Sequence, residues 1–211
     1  MALSLFDQEI NLHRLNCKKI ELQSLVEVRD GTHDSPKNTS DGYPLVTSKH
    51  IKGNSIDFST TKKISKFDYL NINQRSKVDI GDILISMIGT VGIVHLVRNM
   101  DLKYAIKNIG LIKTSVDNQF KYLIYLSMLS QYGQDYVKQH LAGSTQQYLS
   151  LTELRKFQIP MLPEEKLEMF NDTVIPIFNE ISSLSDQILW LTELRDTLLP
   201  KLLNGEIDLS N

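Results

Sequence analysis

Cysteine is nearly missing from this chain: Cys17 is the one cysteine in 211 residues. A single thiol cannot close a disulfide within the chain, so no disulfide framework is expected. Long apolar runs are missing as well. No window approaches the roughly 18 consecutive apolar residues of a membrane-spanning helix. The first residues, MALSLFDQEINLHR, have no basic stretch leading into an apolar run, so no secretory signal is expected either. These features predict a cytoplasmic protein. Catalytic signatures are equally scarce. There is no Walker loop, no G-x-S-x-G elbow and no HExxH. One cysteine and five scattered histidines offer no metal-ligand spacing, so no metal site is expected. Glu164-Glu165-Lys166 has the ExK spacing of some nucleases, but no upstream Asp partners it, and Glu is favoured in a first helical turn anyway.

What is present is an asymmetry. Residues 161–211 carry three basic and ten acidic side chains, whereas residues 1–160 carry 20 basic and 15 acidic ones and all five histidines. The acidic part holds a heptad seam. Leu167, Phe170, Val174, Ile177, Ile181, Leu184, Ile188, Leu191, Leu198 and Leu202 follow one another at spacings of 3 and 4, interrupted at Arg195. A spacing averaging 3.5 belongs to a helix that lies against another helix along its length. The fold class expected is therefore α+β. A mixed, β-rich globular domain (1–162) is followed by a long C-terminal coiled-coil helix (163–211) that serves for dimerisation and spacing. Ile177, Ile181, Leu184, Ile188, Leu191, Leu198 and Leu202 are the dimer-interface residues in this reading. Ile175, Phe178, Leu189, Trp190, Leu194, Leu199 and Leu203 lie off the seam and imply a second contact surface, either the chain's own domain or a larger partner for which Trp190 is the docking candidate.

Within the globular part, residues 5–20 suit a short amphipathic helix, and IELQSLVEVRD (20–30) an extended segment. GTHDSPKNTSDG (31–42) is a polar surface loop. PLVTSKHI (44–51) reads as a strand, and residues 62–73 as a short helix or turn. GDILISMIGTVGIVHLV (81–97) gives the strongest β signal, a hairpin with a tight glycine turn at Gly89-Thr90. YAIKNIGLIKT (104–114) reads as a further strand. A helix over about 119–140, capped by Asp117 or Asn118, precedes the loop AGSTQQYL (142–149). Ser150 and Glu153 fit a capping box that starts a short helix at Leu151, and FQIPMLP (157–163) is extended. Pro176 divides the C-terminal helix into pieces near 164–175 and 177–203, with Gly205 as the stop.

Candidate DNA contacts are polar side chains on these loops and strand ends. Ser144, Thr145, Gln146 and Gln147 follow one another just ahead of a helix. Gln can pair both amide groups with an adenine edge, and Ser and Thr serve bases or phosphates. Plain capping of the next helix remains the other reading. Lys49, His50, Arg75, Thr90, Lys107 and Asn108 are candidates of the same type. The mildly basic balance of residues 1–160 suits a polyanion.

These pieces together resemble the specificity subunit of type I restriction–modification systems. The resembling parts are GDIL (81–84) with GTVG (89–92), AIKNIGL (105–111), GSTQQ (143–147) followed by LTEL (151–154) and IP (159–160), and LRDTLLPKLL (194–203) with Gly205. Such subunits carry two target-recognition domains and two helical regions; this chain has the pattern of one of each. The resemblance implies a half-length, non-catalytic DNA-recognition subunit that binds double-stranded DNA. It implies partnership with a modification (methyltransferase) subunit, which holds S-adenosylmethionine, and with a restriction (translocase-nuclease) subunit. Pairing through the seam would rebuild a two-fold reader of a split palindromic site. A helix over 177–203 would extend roughly 40 Å at 1.5 Å per residue, about one turn of DNA. A second reading is a coiled-coil dimeric interaction or scaffold protein with no DNA binding.

Overall fold

Ile83, Leu84, Ile85 and Ser86 are consecutive and all buried, as a strand is when both of its faces are covered. It is β5 in a chain that runs α1 (Ala2–Leu12), β1 (Lys19–Glu21), α2 (Leu22–Leu25), β2 (Val28–Asp30), β3 (Tyr43–Val46), β4 (Lys62–Ile64), α3 (Lys66–Ser76), β5 (Ile83–Ser86), β6 (Val94–Leu96), β7 (Ala105–Ile106), β8 (Ile109–Ile112), α4 (Lys121–Leu129), α5 (Gln131–Gln139), β9 (Leu141–Ala142), β10 (Tyr148–Leu149), α6 (Leu151–Arg155), β11 (Gln158–Pro160) and α7 (Glu164–Leu203). The computed structural model describes residues 1–12, 18–98, 103–116 and 119–206. It divides into two units, Met1–Asn171 and Asp172–Asn211. The α+β class, with a long C-terminal helix, is the one expected.

In the first unit an antiparallel sheet of order β2-β8-β5-β6 forms the centre, and a smaller sheet of order β4-β3-β7 lies beside it, its β3–β7 pair parallel. Leu84, Ile109 and Leu111 of the large sheet join Val46, Ile51, Val78, Val97, Tyr104 and Ile106 in one apolar cluster. On the other face, a Cβ at Gly110 would come within 2.6 Å of Leu154 Cδ2, so α6 packs directly over the glycine. Arg155 fixes α6 further by donating from Nε and Nη2 to the Val28 carbonyl, at 3.1 and 2.9 Å. Leu45, Ile64 and Ala105 form a second cluster in the small sheet, flanked by the stacked rings of Tyr43 and Tyr69. A buried ionic group ties β5 to β8 at one end of the large sheet. Lys113 Nζ donates to Asp82 Oδ2 at 2.5 Å and to Asp79 Oδ2 at 2.9 Å, and the Asp82 side chain is fully buried.

Several expected elements take a different form, each for a local reason. The first helix is Ala2–Leu12, and Lys19–Glu21 is a strand; residues 13–17 lie outside the described residues. Residues 20–30 are not one extended segment. Strands β1 and β2 belong to different sheets, and the single turn of α2 carries the chain between them, with the Leu22 N–H bonded to the Phe157 carbonyl. Residues 44–51 end in a 3-10 turn, Ser48–His50, instead of continuing as strand. The β5–β6 connection is no tight turn but the seven residues 87–93. Ser86 Oγ donates to the Thr90 carbonyl and accepts from the Ile93 N–H, which holds the wider loop. The strand expected over 104–114 is cut at Lys107-Asn108, where Asn108 takes φ 54° and passes the chain from one sheet to the other. The helix expected over 119–140 breaks at Ser130, whose hydroxyl accepts the Gly133 N–H and starts α5. Its expected cap at Asp117 or Asn118 lies outside the described residues. Ser150 does cap α6 by accepting the Glu153 N–H.

Helix α7 is continuous through Pro176, contrary to the expected division. Pro176 is exposed, and its missing N–H forfeits one bond to the Asp172 carbonyl while the helix on both sides stays intact. At its far end the Glu206 N–H bonds the Lys201 carbonyl and the Gly205 N–H bonds the Leu202 carbonyl, with Gly205 at φ 73°. That pair of bonds closes the helix with a left-handed glycine, the stop predicted at this position. Within the first unit, Leu167 and Phe170 of α7 are buried, and the Phe170 ring meets Phe6 of α1 edge-on. In the second unit Val174 and Phe178 are buried, whereas Leu184, Ile188, Trp190 and Leu191 are exposed. Among the described residues no helix is long and apolar enough to cross a membrane.

Candidate nucleic-acid interface

One end of the large sheet gathers segments that are far apart in sequence. Ser86 pairs with Ile109, Asp30 with Gly110, and Ile85 with Val94. The residues that follow β2, follow β5, precede β6 and precede β8 therefore all leave the sheet at the same end. Lys107 and Asn108 are the two residues before β8. Thr90 stands in the 87–93 loop after β5, exposed to solvent. The Lys107 N–H bonds the Val46 carbonyl, and Ser48 Oγ donates to the Asn108 carbonyl, which sets the 3-10 turn with Lys49 and His50 against this end. The β9–β10 hairpin attaches here too: the Leu149 N–H bonds the Met87 carbonyl, and Ile88 bridges Tyr148. Its tip is residues 143–147, so Ser144, Thr145, Gln146 and Gln147 are all exposed beside the Thr90 loop. Gly143 makes the tip possible, since its φ is 88° and a Cβ there would lie 2.4 Å from the Gln146 carbonyl oxygen.

Arg75, in the last turn of α3, reaches the same place. Its Nη2 donates to Asp30 Oδ1 at 2.7 Å and to the carbonyls of Asp30 and Gly31 at 3.2 and 3.3 Å. The ten residues anticipated from the sequence thus converge on one end of the sheet, but not all expose a side chain. Lys49 is exposed, and Lys107 Nζ donates to Ser35 Oγ of the polar loop. His50 is turned inward and 2% exposed; its Nδ1 accepts the Thr47 N–H, and burial holds its pKa below the ordinary imidazole value. Its ring supports the turn and does not face solvent.

Two residues here escaped sequence reasoning. The Asp30 side chain is nine-tenths buried, with Oδ2 2.8 Å from His33 Nε2, while His33 Nδ1 is 2.8 Å from Asn108 Oδ1. Asp30 reads in the sequence as the end of a strand and His33 as one polar residue of a surface loop. Nothing in their spacing points to Arg75, 45 positions away. A cleft of about 420 Å³ opens beside this group, lined by Thr32, His33, Asp34, Asn71, Ile72, Arg75 and Ser76. Arg75 also borders a second cleft of about 470 Å³ that reaches Arg29 and Arg155. No group of three or more His, Cys, Asp or Glu is placed to hold a metal ion among the described residues.

The sequence pattern of the type I restriction modification DNA specificity domain matches residues 15–173, which is most of the chain and includes this whole end of the sheet. The chain belongs to that family. The specificity domain has curated relatives. It is 31% identical over 173 residues to the specificity subunit of the type I restriction enzyme HindI of Haemophilus influenzae, a match that covers 79% of this chain and 36% of the relative. It is 31% identical over 103 residues to the specificity subunit of the type I restriction enzyme MjaIX of Methanocaldococcus jannaschii, covering 49% of this chain and 23% of the relative. The chain therefore spans about a third or less of these relatives. Among solved structures the fold is shared with the type I restriction–modification S subunit from M. genitalium, at a TM-score of 0.57 and 18% identity over 89% of this chain and 46% of that one. It is shared too with a chain of a type I restriction–modification system described for complex assembly and conformational transition, at a TM-score of 0.51 and 15% identity, covering 95% of this chain and 52% of that one.

Proposed function

We propose that this specificity domain reads one half of a split DNA site, contributes no catalytic step itself, and works as a symmetric pair. The observation that carries the DNA reading is the convergence of ten polar candidates, drawn from five separate stretches of sequence, on one end of the large sheet. Loops and a hairpin tip mounted on such an end suit insertion of side chains toward base edges, while Lys49 supplies positive charge for phosphates. The pairing reading rests on the second unit. Leu184, Ile188 and Leu191 are 47–64% exposed on one helix, an apolar stripe that a second copy of the same helix would cover. A two-fold pair reads a palindromic site.

Methyl transfer then belongs to a separate modification subunit that binds S-adenosylmethionine, and cleavage to a restriction subunit; Trp190 and its off-seam neighbours form the docking surface for the former. The similar subunits named above belong to enzymes and assemblies of this kind, which supports the assignment. Co-expression of this chain with a modification subunit, followed by sequencing of methylated adenines, tests it. A palindromic split motif is expected, together with a dimer of this chain in sedimentation. An asymmetric motif, or a monomer in the active complex, removes the pairing. Absence of any salt-dependent duplex binding removes the DNA reading and leaves the scaffold alternative.

A further inference from the structure

We propose that Arg75 reads a guanine in each half-site and that Asp30 is the positioning residue that aims it. The inference rests on the DNA reading above and assigns that interface its specificity-determining contact. All three hydrogen bonds of the Arg75 guanidinium leave from one nitrogen, Nη2. Nε and Nη1 bond nothing among the described residues, so the single Nε N–H and the two Nη1 N–H groups stay free while Nη2 is held. The side chain is 62% exposed, and its anchor is not: the Asp30 carboxylate is nine-tenths buried. Asp30 is fixed in turn. Its Oδ2 faces His33 Nε2, and His33 Nδ1 faces Asn108 Oδ1, at 2.8 Å each. Asn108 sits at φ 54° with its N–H on the Thr32 carbonyl. Three residues from two segments thus hold one guanidinium in one orientation, and a donor group that is already oriented loses less freedom when it binds.

The local charge favours a base edge over a phosphate. The positive charge of Arg75 is matched by Asp30, and Asp34 lines the same cleft. A phosphate is attracted by net charge, which is close to balanced here, whereas a base edge is recognised by directed donors. Guanine presents two acceptors, O6 and N7, side by side in the major groove, and the free Nη1 group, with two N–H donors, can bond both. The cleft of about 420 Å³ in front of Arg75 also carries the Asn71 amide, a second polar group for the neighbouring base pair.

The complete complex of this chain with its modification subunit carries the test. Wild type, R75K, R75Q and D30N are compared by motif sequencing of methylated DNA. In parallel, fluorescence anisotropy follows binding to duplexes in which each half-site base pair is exchanged in turn. Wild type is expected to discriminate at one G·C pair per half-site by roughly 5- to 150-fold. R75K and R75Q should bring that discrimination to within roughly twofold while the other positions keep theirs, and D30N should loosen the same position alone. Arg75 is on the surface, so R75K tests the assignment even if D30N fails to fold. Uniform weakening on all duplexes with a salt dependence shallower by about one ion would make Arg75 a phosphate contact and overturn the proposal. Unchanged discrimination, or a half-site without a G·C pair, would overturn it too. A wild-type complex that binds no duplex would sink the DNA reading itself, an outcome separate from these.

Discussion

Two apolar stretches of this chain meet opposite fates. Ile83, Leu84 and Ile85 are fully buried, whereas Leu184, Ile188 and Leu191 are about half or more exposed. The residue types are the same. The strand finds β8 on one side, β6 on the other, α6 above and the Val46 cluster below, all within its own chain. The helix has one stripe too many for the second unit to cover by itself. The first unit buries its apolar strand within itself, and the second leaves an apolar stripe exposed, so the two should respond differently to the same kind of damage.

The largest contrast is expected for charge. Asp82→Ala leaves Lys113 buried beside Asp79 alone and takes the acceptors of the Asp79 and Ser115 N–H groups. Loss of one partner of a buried pair costs roughly 3–5 kcal/mol, which chemical denaturation followed by circular dichroism would read. Removal of a surface charge in the second unit, such as Glu193→Ala, should cost about 0.5 kcal/mol or less. A cost under 1 kcal/mol for Asp82→Ala would show that the ionic group does not hold the sheet. Next come matched leucines. Leu84→Ala should lower unfolding stability by about 2–5 kcal/mol. Leu191→Ala should leave the unfolding of the isolated chain within about 0.5 kcal/mol and weaken self-association instead. Equal effects of the two would erase the distinction between core and interface.

Pro176→Ala sharpens the comparison from the other side. It restores the missing N–H bond inside α7, so thermal unfolding of the helix should shift upward by at most about 3 kcal/mol with the sheet unaffected. A loss of stability would mean that the proline is needed for the packing of α7. The smallest effect concerns pH. His50 and His95 are both held below the ordinary value of 6.5, first of all by burial. Above that pH neither ring is charged, folded or unfolded. As the pH falls below 6.5 the unfolded chain takes up protons that the folded one does not, so stability drops until the folded rings titrate. Urea midpoints at pH 7.5 and 5.5 should show this fall, and His95→Gln should make it shallower. An unchanged slope in that variant would assign the pH dependence to other groups.

Much of this contrast could be read from residue order. The apolar runs within 81–97 announced strands there, Ser150 and Glu153 a helix start, Glu164 the beginning of α7, and Gly205 its stop. Each of these signals lies within a few residues of the structure it specifies. The boundaries that went astray, at Leu22, Ser130 and Lys107-Asn108, are places where the chain changes sheet or helix to satisfy distant partners. The interface followed the same rule. Its exposed polar residues were visible as loop chemistry, but the inward turn of His50 and the bracing of Arg75 by Asp30 were not.

Residue order by itself determined the apolar stripe of α7 and its glycine stop, because helix periodicity and capping are set by neighbours three and four positions apart. Tertiary structure alone decided that Asp30, His33, Arg75 and Asn108 form one braced group. Strand register, fixed by burial of whole sheet faces, carries segments 45 and 75 positions apart to within hydrogen-bonding distance, and no local pattern encodes which pairs will meet.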